Sequence, residues 1–317
     1  MDMESASETI RRIFGSKGSS LGFEMAEVTS RYEALNKVRF PKPKETRFIA
    51  VANQKGGVGK TTTTVNLAAA LAYAKQQVLL IDMDPQGNAS TALGVKHNAG
   101  ESSVYDVLES RQTIDEVKKT SRAFKTLDVV PSSIDLSGAE LEVVDLSNRN
   151  DLLKEALAEF VATTKKKYDY VIIDCPPSLG LLVINAMCAV NEVLIPIQAE
   201  YYALEGLGQL IQTIGLVQEH YNPSLLVSTM LVTMFDKRTL LSKEVYDQVK
   251  EHYPDIVLRT TIPRSVKISE APSFGQTVIE YDPRGTGAVS YREAALEIAR
   301  RSPQVLKALE DRKQRRN

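Results

Sequence analysis

The chain of 317 residues lacks several features that would each have settled its class. Only two cysteines occur, Cys175 and Cys188, with neither CxxC spacing nor the number needed for a disulfide framework. That usage points to a reducing cytosol. Three scattered histidines (His97, His220 and His252) make no metal-ligand cluster. An excess of one charge is also missing: 39 Lys and Arg stand against 40 Asp and Glu, a formal net of −1. This excludes a uniformly basic nucleic-acid binder and an acidic solvating chain, but leaves room for a local basic patch. The longest apolar stretch, Leu179 to Val190, is interrupted by Asn185 and is too short to span a bilayer. The opening MDMESASETIRR has acids where a secretory leader needs a basic segment, so no signal peptide is expected. What remains, 43% hydrophobic and 25% charged, is ordinary globular usage with ample core.

Residues 1–45 differ in texture from the rest. They contain GSKGSS, mixed charges and the run Pro41-Lys42-Pro43-Lys44. They read as a mobile arm with short helices near Thr9–Phe14 and Glu24–Val38, followed by a stiff linker. Gly18-Ser19-Ser20-Leu21-Gly22 fits the GxSxG hydrolase pattern, but no strand precedes it and no helical pattern follows closely, so it is set aside as a nucleophile elbow.

Residues 46–317 read as one α/β domain. Apolar strands are expected at Arg47–Asn53, Gln77–Met83, Leu127–Val130, Tyr168–Asp174, Val193–Ile197, Leu226–Thr233 and Ile256–Arg259. Helices are expected at Thr61–Lys75, Leu152–Thr163, Leu204–His220, Leu240–Glu251, Ala288–Arg300 and Pro303–Arg312. Continuous apolar strands alternating with helices imply a doubly wound, mostly parallel sheet with helices on both faces. Such sheets bind ligands at the carboxyl ends of their strands, so the first strand–loop–helix should carry the site.

At that point stands Gln54-Lys55-Gly56-Gly57-Val58-Gly59-Lys60-Thr61-Thr62. Glycines at 56, 57 and 59 let the backbone curl so that successive N–H groups face one anion. The helix that follows adds its positive dipole end. Lys60 supplies a point charge for β- and γ-phosphates, and the Thr61 hydroxyl can ligate Mg²⁺. Asp174 ends the strand YVIID, where a carboxylate can hold a Mg²⁺-bound water across from Thr61. Asp82 and Asp84 close the second strand and share a side by alternation. Pro85-Gln86-Gly87 reads as a switch segment able to move with a γ-phosphate.

An ordinary phosphate loop has glycine six places before Lys60; here that residue is Gln54, and a second lysine, Lys55, follows it. The box resembles the deviant Walker A motif, KGGxGK[ST]. Together with Asp84-Pro85-Gln86-Gly87-Asn88-Ala89, Asp174-Cys175-Pro176-Pro177-Ser178, Glu200-Tyr201-Tyr202-Ala203-Leu204-Glu205-Gly206-Leu207, Ile262-Pro263-Arg264 and Ser269-Glu270-Ala271-Pro272-Ser273, the chain resembles the ParA/Soj branch of that superfamily from Arg47 to Ile298.

The resemblance implies a slow, partner-stimulated ATPase with Mg²⁺. It implies that Asp84 orients the attacking water. Lys55 would cross a homodimer interface to touch the partner subunit's phosphates, in the manner of an arginine finger. Gly57 would lie where the two loops approach closely. Adenine offers no charge to read, so its pocket should be backbone and apolar, around Met234 and Pro263 by resemblance. No Asn/Thr-Lys-x-Asp guanine signature is present, which favours ATP. Lys237, Arg238, Arg259, Arg264 and Lys267 are candidates for a basic strip that binds double-stranded DNA without sequence preference. Lys267 stands where relatives often have arginine, which keeps the charge and loses the bidentate fork. The implied setting is the cytoplasm and nucleoid, with a ParB-type centromere-binding partner and no membrane.

Three rival readings have weaker support. A MinD-like membrane ATPase needs a C-terminal amphipathic helix with bulky anchors, and Val305-Leu306-Lys307-Ala308-Leu309 is too weakly apolar. An iron–sulfur relative needs paired cysteines, and Cys175 reads as a small buried residue. A repressor needs an N-terminal helix-turn-helix, for which residues 1–45 are too few and too broken.

Overall fold

The structure is a computed structural model, and it describes residues 20–142, 146–201 and 203–314. Seven strands form one sheet: β1 (Arg47–Val51), β2 (Val78–Asp82), β3 (Lys119–Thr120), β4 (Leu127–Val130), β5 (Tyr170–Asp174), β6 (Glu192–Gln198) and β7 (Leu226–Thr233). Their order is β3-β4-β2-β5-β1-β6-β7. Every pairing is parallel except β3 with β4 at one edge. The longer helices are α1 (Ser20–Lys37), α2 (Lys60–Tyr73), α3 (Leu152–Thr163), α4 (Leu181–Ala189), α5 (Ala203–His220), α6 (Leu240–His252), α7 (Thr286–Arg300) and α8 (Ser302–Gln314).

The continuous apolar strands serve two cores at once. Leu79 and Ile81 of β2, with Val171 and Ile173 of β5, point into the layer that also holds Leu153, Leu157 and Met187. Val78 and Leu80, with Tyr170 and Ile172, point into the opposite layer against Leu67, Leu71 and Tyr291. Alternate side chains leave a strand on opposite faces, so a strand buried on both sides must be apolar throughout. Helix α2 is buried on every side, with Thr63 through Ala72 all covered. Its run of alanines lets α7 pack on the face away from the sheet. A buried ion pair at the amino ends of the strands joins Arg47 Nε and Nη2 to Glu192 at 2.8 and 2.5 Å. Arg47 Nη1 also donates to the carbonyl of Ile298 at 2.7 Å, tying α7 to the sheet.

Two expectations are corrected. Ile256–Arg259 is not a strand and makes one bridge, Val257 to Met230. The Glu297 carboxylate takes the amide hydrogens of Arg259 and Thr260, so the chain leaves the sheet there. The stretch 20–45, read as part of a mobile arm with a short helix near Glu24–Val38, holds that helix at Ser20–Lys37, but docked: Ala26, Leu35 and Phe40 are buried, and the last two enter the core beside α7. Its apolar residues recur at helical spacing, which binds it to the domain. The helix expected at Thr9–Phe14 lies outside the described residues. Among the described residues no helix is long and apolar enough to cross a membrane.

Candidate functional site

The strand order sets the site. β1 and β5 are neighbours with Val51 opposite Asp174, and β5 and β2 are neighbours with Asp82 opposite Asp174. The carboxyl ends of three strands thus bring together the glycine loop after β1, the acid closing β5 and the two acids around the end of β2. This is the crevice where an open α/β sheet binds ligands.

The loop has the backbone that its glycines permit. Gly57 and Gly59 have φ of 77° and 86°, the left-handed region where a β-carbon is strained. Two side chains outside the motif shape it. Asn53 accepts a hydrogen bond from the Lys55 amide at 3.0 Å and donates to the Pro196 carbonyl on β6 at 2.8 Å. Thr233, ending β7, donates its hydroxyl to the Val58 carbonyl at 2.8 Å. Val58 itself is buried, so only its backbone is available to a ligand. Lys60 begins α2 with its ammonium 3.2 Å from the carbonyl of Lys55. Burial lowers its pKa, against the opposing pull of Asp174, Cys175 and Asp84.

Asp174 is fully buried. Its Oδ1 accepts the Thr64 hydroxyl at 2.8 Å, while Oδ2 is buried with no hydrogen-bond partner among the described residues. Burial pushes its pKa up to about 8, the charge of Asp82 pushes the same way, and the hydroxyls of Thr61 and Thr64 pull against both. A buried carboxyl with an open oxygen, beside a threonine hydroxyl, is a donor set for a hard cation. No group of three or more His, Cys, Asp or Glu suited to a metal occurs among the described residues. Mg²⁺ keeps waters and takes phosphate oxygens rather than an all-protein cage, so a carboxyl and a hydroxyl are donors enough for it.

The two acids after β2 have different environments. Asp82 is wholly buried and accepts the amide and hydroxyl of Ser90 at 2.8 and 2.7 Å. Burial raises its pKa, to about 6, despite those bonds. Asp84 sits at the head of a turn, with Oδ1 accepting the Gln86 amide at 3.0 Å and its carbonyl accepting the Gly87 amide at 2.8 Å. Cys175 is buried beside this group, and burial holds its thiol protonated by raising its pKa.

The other candidates divide into two places. Lys55 lies at the loop's edge with its ammonium 3.7 Å from Glu200, a pair about one third to one half exposed. Arg264 approaches the same Glu200 at 3.6 Å. Met234, with a left-handed φ of 51°, follows Thr233, and the next residue, Phe235, bridges to Pro263. Lys237, Arg238, Arg259 and Arg264 line one open groove of about 1530 Å³. No residue of the glycine loop lines that groove, but Pro263, the adenine candidate, does, and Arg264 of the groove shares Glu200 with Lys55 of the loop. Lys267 stands apart from the groove, paired with Glu270 at 3.2 Å and over the ring of Tyr281.

Sequence reasoning overlooked Asn53, Thr64 and Thr233 as site residues. A signal existed for Thr64: four successive threonines, Thr61 to Thr64, are poor helix formers placed at a helix start. Thr233 gave no comparable signal, because its role depends on strand neighbours.

Comparison with known proteins gives a consistent picture. A family model described as an AAA domain matches residues 46–227. The chain is 52% identical over 254 residues to the sporulation initiation inhibitor protein Soj of Bacillus subtilis, covering 80% of this chain and 98% of that one. It is 47% identical over 255 residues to the chromosome partitioning protein ParA of Myxococcus xanthus, covering 80% and 88%. Among solved structures it resembles cobyrinic acid a,c-diamide synthase of Mycobacterium smegmatis with bound ATP analog and magnesium. There the TM-score is 0.69 and the identity 37%, over 81% of this chain and 95% of that one.

Proposed function

The chain belongs to the ParA/Soj family of chromosome-partitioning ATPases, and on that premise we propose that it is an ATP-driven switch that binds DNA and serves chromosome or plasmid segregation. The observation that carries the reading is the meeting of Lys60, Thr61, Asp174 and Asp84 at the carboxyl ends of three adjacent strands. The loop amides and the start of α2 bind the β- and γ-phosphates, with Lys60 moving its ammonium from the Lys55 carbonyl onto them. Mg²⁺, when bound, would supply positive charge against the phosphate oxygens. Thr61 would ligate it directly and Asp174 through water, and the open Oδ2 supports that assignment. Asp84 orients the attacking water, and its turn couples that carboxylate to the Pro85-Gln86-Gly87 segment. Met234 and Pro263 supply backbone and apolar surface for adenine.

Two subunits sandwich two nucleotides. Lys55 leaves Glu200 to reach the partner's phosphates, and an exposed pair of this kind, worth about 0–1 kcal/mol, does not hold it back. Gly57 marks the closest approach. Dimerisation doubles the basic residues Lys237, Arg238, Arg259, Arg264 and Lys267 into a surface for double-stranded DNA. A ParB-type partner stimulates an otherwise slow hydrolysis, and the protein works in the cytoplasm at the nucleoid.

The test is ATP-dependent binding of random-sequence DNA. Asp84→Ala should hold an ATP-bound dimer on DNA with little turnover, and Lys60→Ala should lose nucleotide and DNA together. Normal turnover in the first, or unchanged nucleotide affinity in the second, would remove the assigned roles.

A further inference from the structure

The groove that gathers Lys237, Arg238, Arg259 and Arg264 is walled on one side by α1. The charges that α1 presents to it are Glu24, Glu27 and Arg31. Arg31 is already spent: its Nε and Nη2 reach the two oxygens of Glu293 on α7 at 2.9 and 2.5 Å, and Nη2 also reaches Ser290. What α1 adds to the groove is therefore acidic. Glu24 is within 3.0 Å of the ammonium of Lys237. Its charge also reaches Arg238, whose pKa is raised first by Asp236 and then by Glu24.

The helix is held in this position by contacts that the groove does not need. Ala26 and Leu35 are buried. Asn36 accepts from Arg292 on α7 at 2.8 Å, and the Arg292 guanidinium lies 5.2 Å from the ring centre of Tyr32. A firmly docked helix thus carries a carboxylate to one of the cations assigned to DNA.

We propose that α1 is an intramolecular competitor for the polyanion that this groove binds, its acidic edge occupying Lys237 and weakening the field at Arg238 where phosphates would lie. The proposal rests on the reading that the groove takes DNA. It assigns the N-terminal helix the work of setting DNA affinity without touching the nucleotide site. The near-zero net charge of the chain fits the same logic, since a DNA face that is partly self-neutralised binds only when dimerisation doubles it.

The test uses the full chain with ATP and Mg²⁺, a labelled random-sequence duplex, fluorescence anisotropy and a potassium chloride series. Glu24→Gln and Glu24→Lys leave the buried side of α1 intact. Glu24→Gln should tighten DNA binding by about threefold, the size of one released exposed ion pair per subunit. It should also steepen the dependence of log affinity on log salt by about 0.9 for each lysine newly free to meet a phosphate, or roughly 2 per dimer. Glu24→Lys should go further. The slope gain of Glu24→Gln should vanish when Lys237→Gln is added, because the freed lysine carries it, while the smaller part of the affinity gain that comes through Arg238 stays. If the wild type binds DNA and both Glu24 variants match it in affinity and slope, the proposal fails while the DNA reading stands. If neither wild type nor variants bind DNA, the DNA reading itself fails and takes the proposal with it.

Discussion

Thr64→Val probes the cation site through a residue outside the recognised motif. The Thr64 hydroxyl has one hydrogen and two acceptors in reach, Asp174 Oδ1 at 2.8 Å and the Lys60 carbonyl at 3.0 Å. Valine keeps the shape and removes that hydrogen. Without a cation, burial favours the neutral carboxyl of Asp174, so the lost bond costs only about 1 kcal/mol of stability. With a cation the carboxylate must be charged, and a hydrogen bond to a charged group is worth about 1.5–3 kcal/mol. The difference, about 0.5–2 kcal/mol, appears as weaker metal binding, roughly 2- to 30-fold, overlapping the range for other residues that orient a metal-holding carboxylate. The assay is ATP hydrolysis, or binding of a fluorescent ATP analogue, against free Mg²⁺ at fixed nucleotide. The half-saturating Mg²⁺ should rise by that factor while ATP affinity at saturating Mg²⁺ changes little. A half-saturation point within about twofold of wild type would refute the coupling of Thr64 to the cation through Asp174.

Asp174→Asn tests the same carboxyl by linkage. Burial raises the folded pKa of Asp174 to about 8 and that of Asp82 to about 6, so their contribution is fully present below the unfolded carboxylate range and is lost as pH rises through those values. Without nucleotide, the Asn variant's advantage in Tm over wild type should therefore grow between pH 6 and pH 8.5 by thermal melts; a constant difference would contradict it. Gly57→Val should bind ATP yet stay monomeric by light scattering. A β-carbon there meets nothing within 4 Å inside one chain, so any obstruction comes from a second subunit, while φ of 77° adds about 1–2 kcal/mol of local strain. A normal ATP-dependent dimer would rule out close approach at this glycine. Arg238→Glu should weaken DNA binding and leave dimerisation intact, since its guanidinium is 83% exposed and pairs only locally with Asp236. For two to four phosphate contacts per dimer, wild-type log affinity should fall with log salt at a slope of about −2 to −4. Salt-independent binding would exclude the electrostatic account.

Much of this molecule is written locally. Strand pattern, glycine spacing and the two lysines of the loop are each properties of a short window, so the doubly wound sheet and the curled glycine loop after its first strand were legible locally. Asp174 was legible for the same reason, as the acid closing an apolar strand. The strand expected at Ile256–Arg259 failed because the amides of Ile256 and Val257 turn back to the Tyr253 carbonyl and that of Arg259 goes to Glu297, 38 residues away along the chain. The helix expected near Glu24–Val38 is present as α1, but its docking was not legible, because one face of α1 finds α7, an element near the other end of the sequence.

The sequence by itself determined the chemistry available: a loop that can cradle phosphates, acids at strand ends, and basic residues too few to bind DNA uniformly. Only the tertiary structure decided which of these stand together. It set Asp82 and Asp174 opposite each other across two strands, bound the loop to β7 through Thr233, and brought Glu24 to Lys237. Backbone conformation is set by neighbours in the chain, whereas a side chain's charge state and partner depend on residues that only packing brings near.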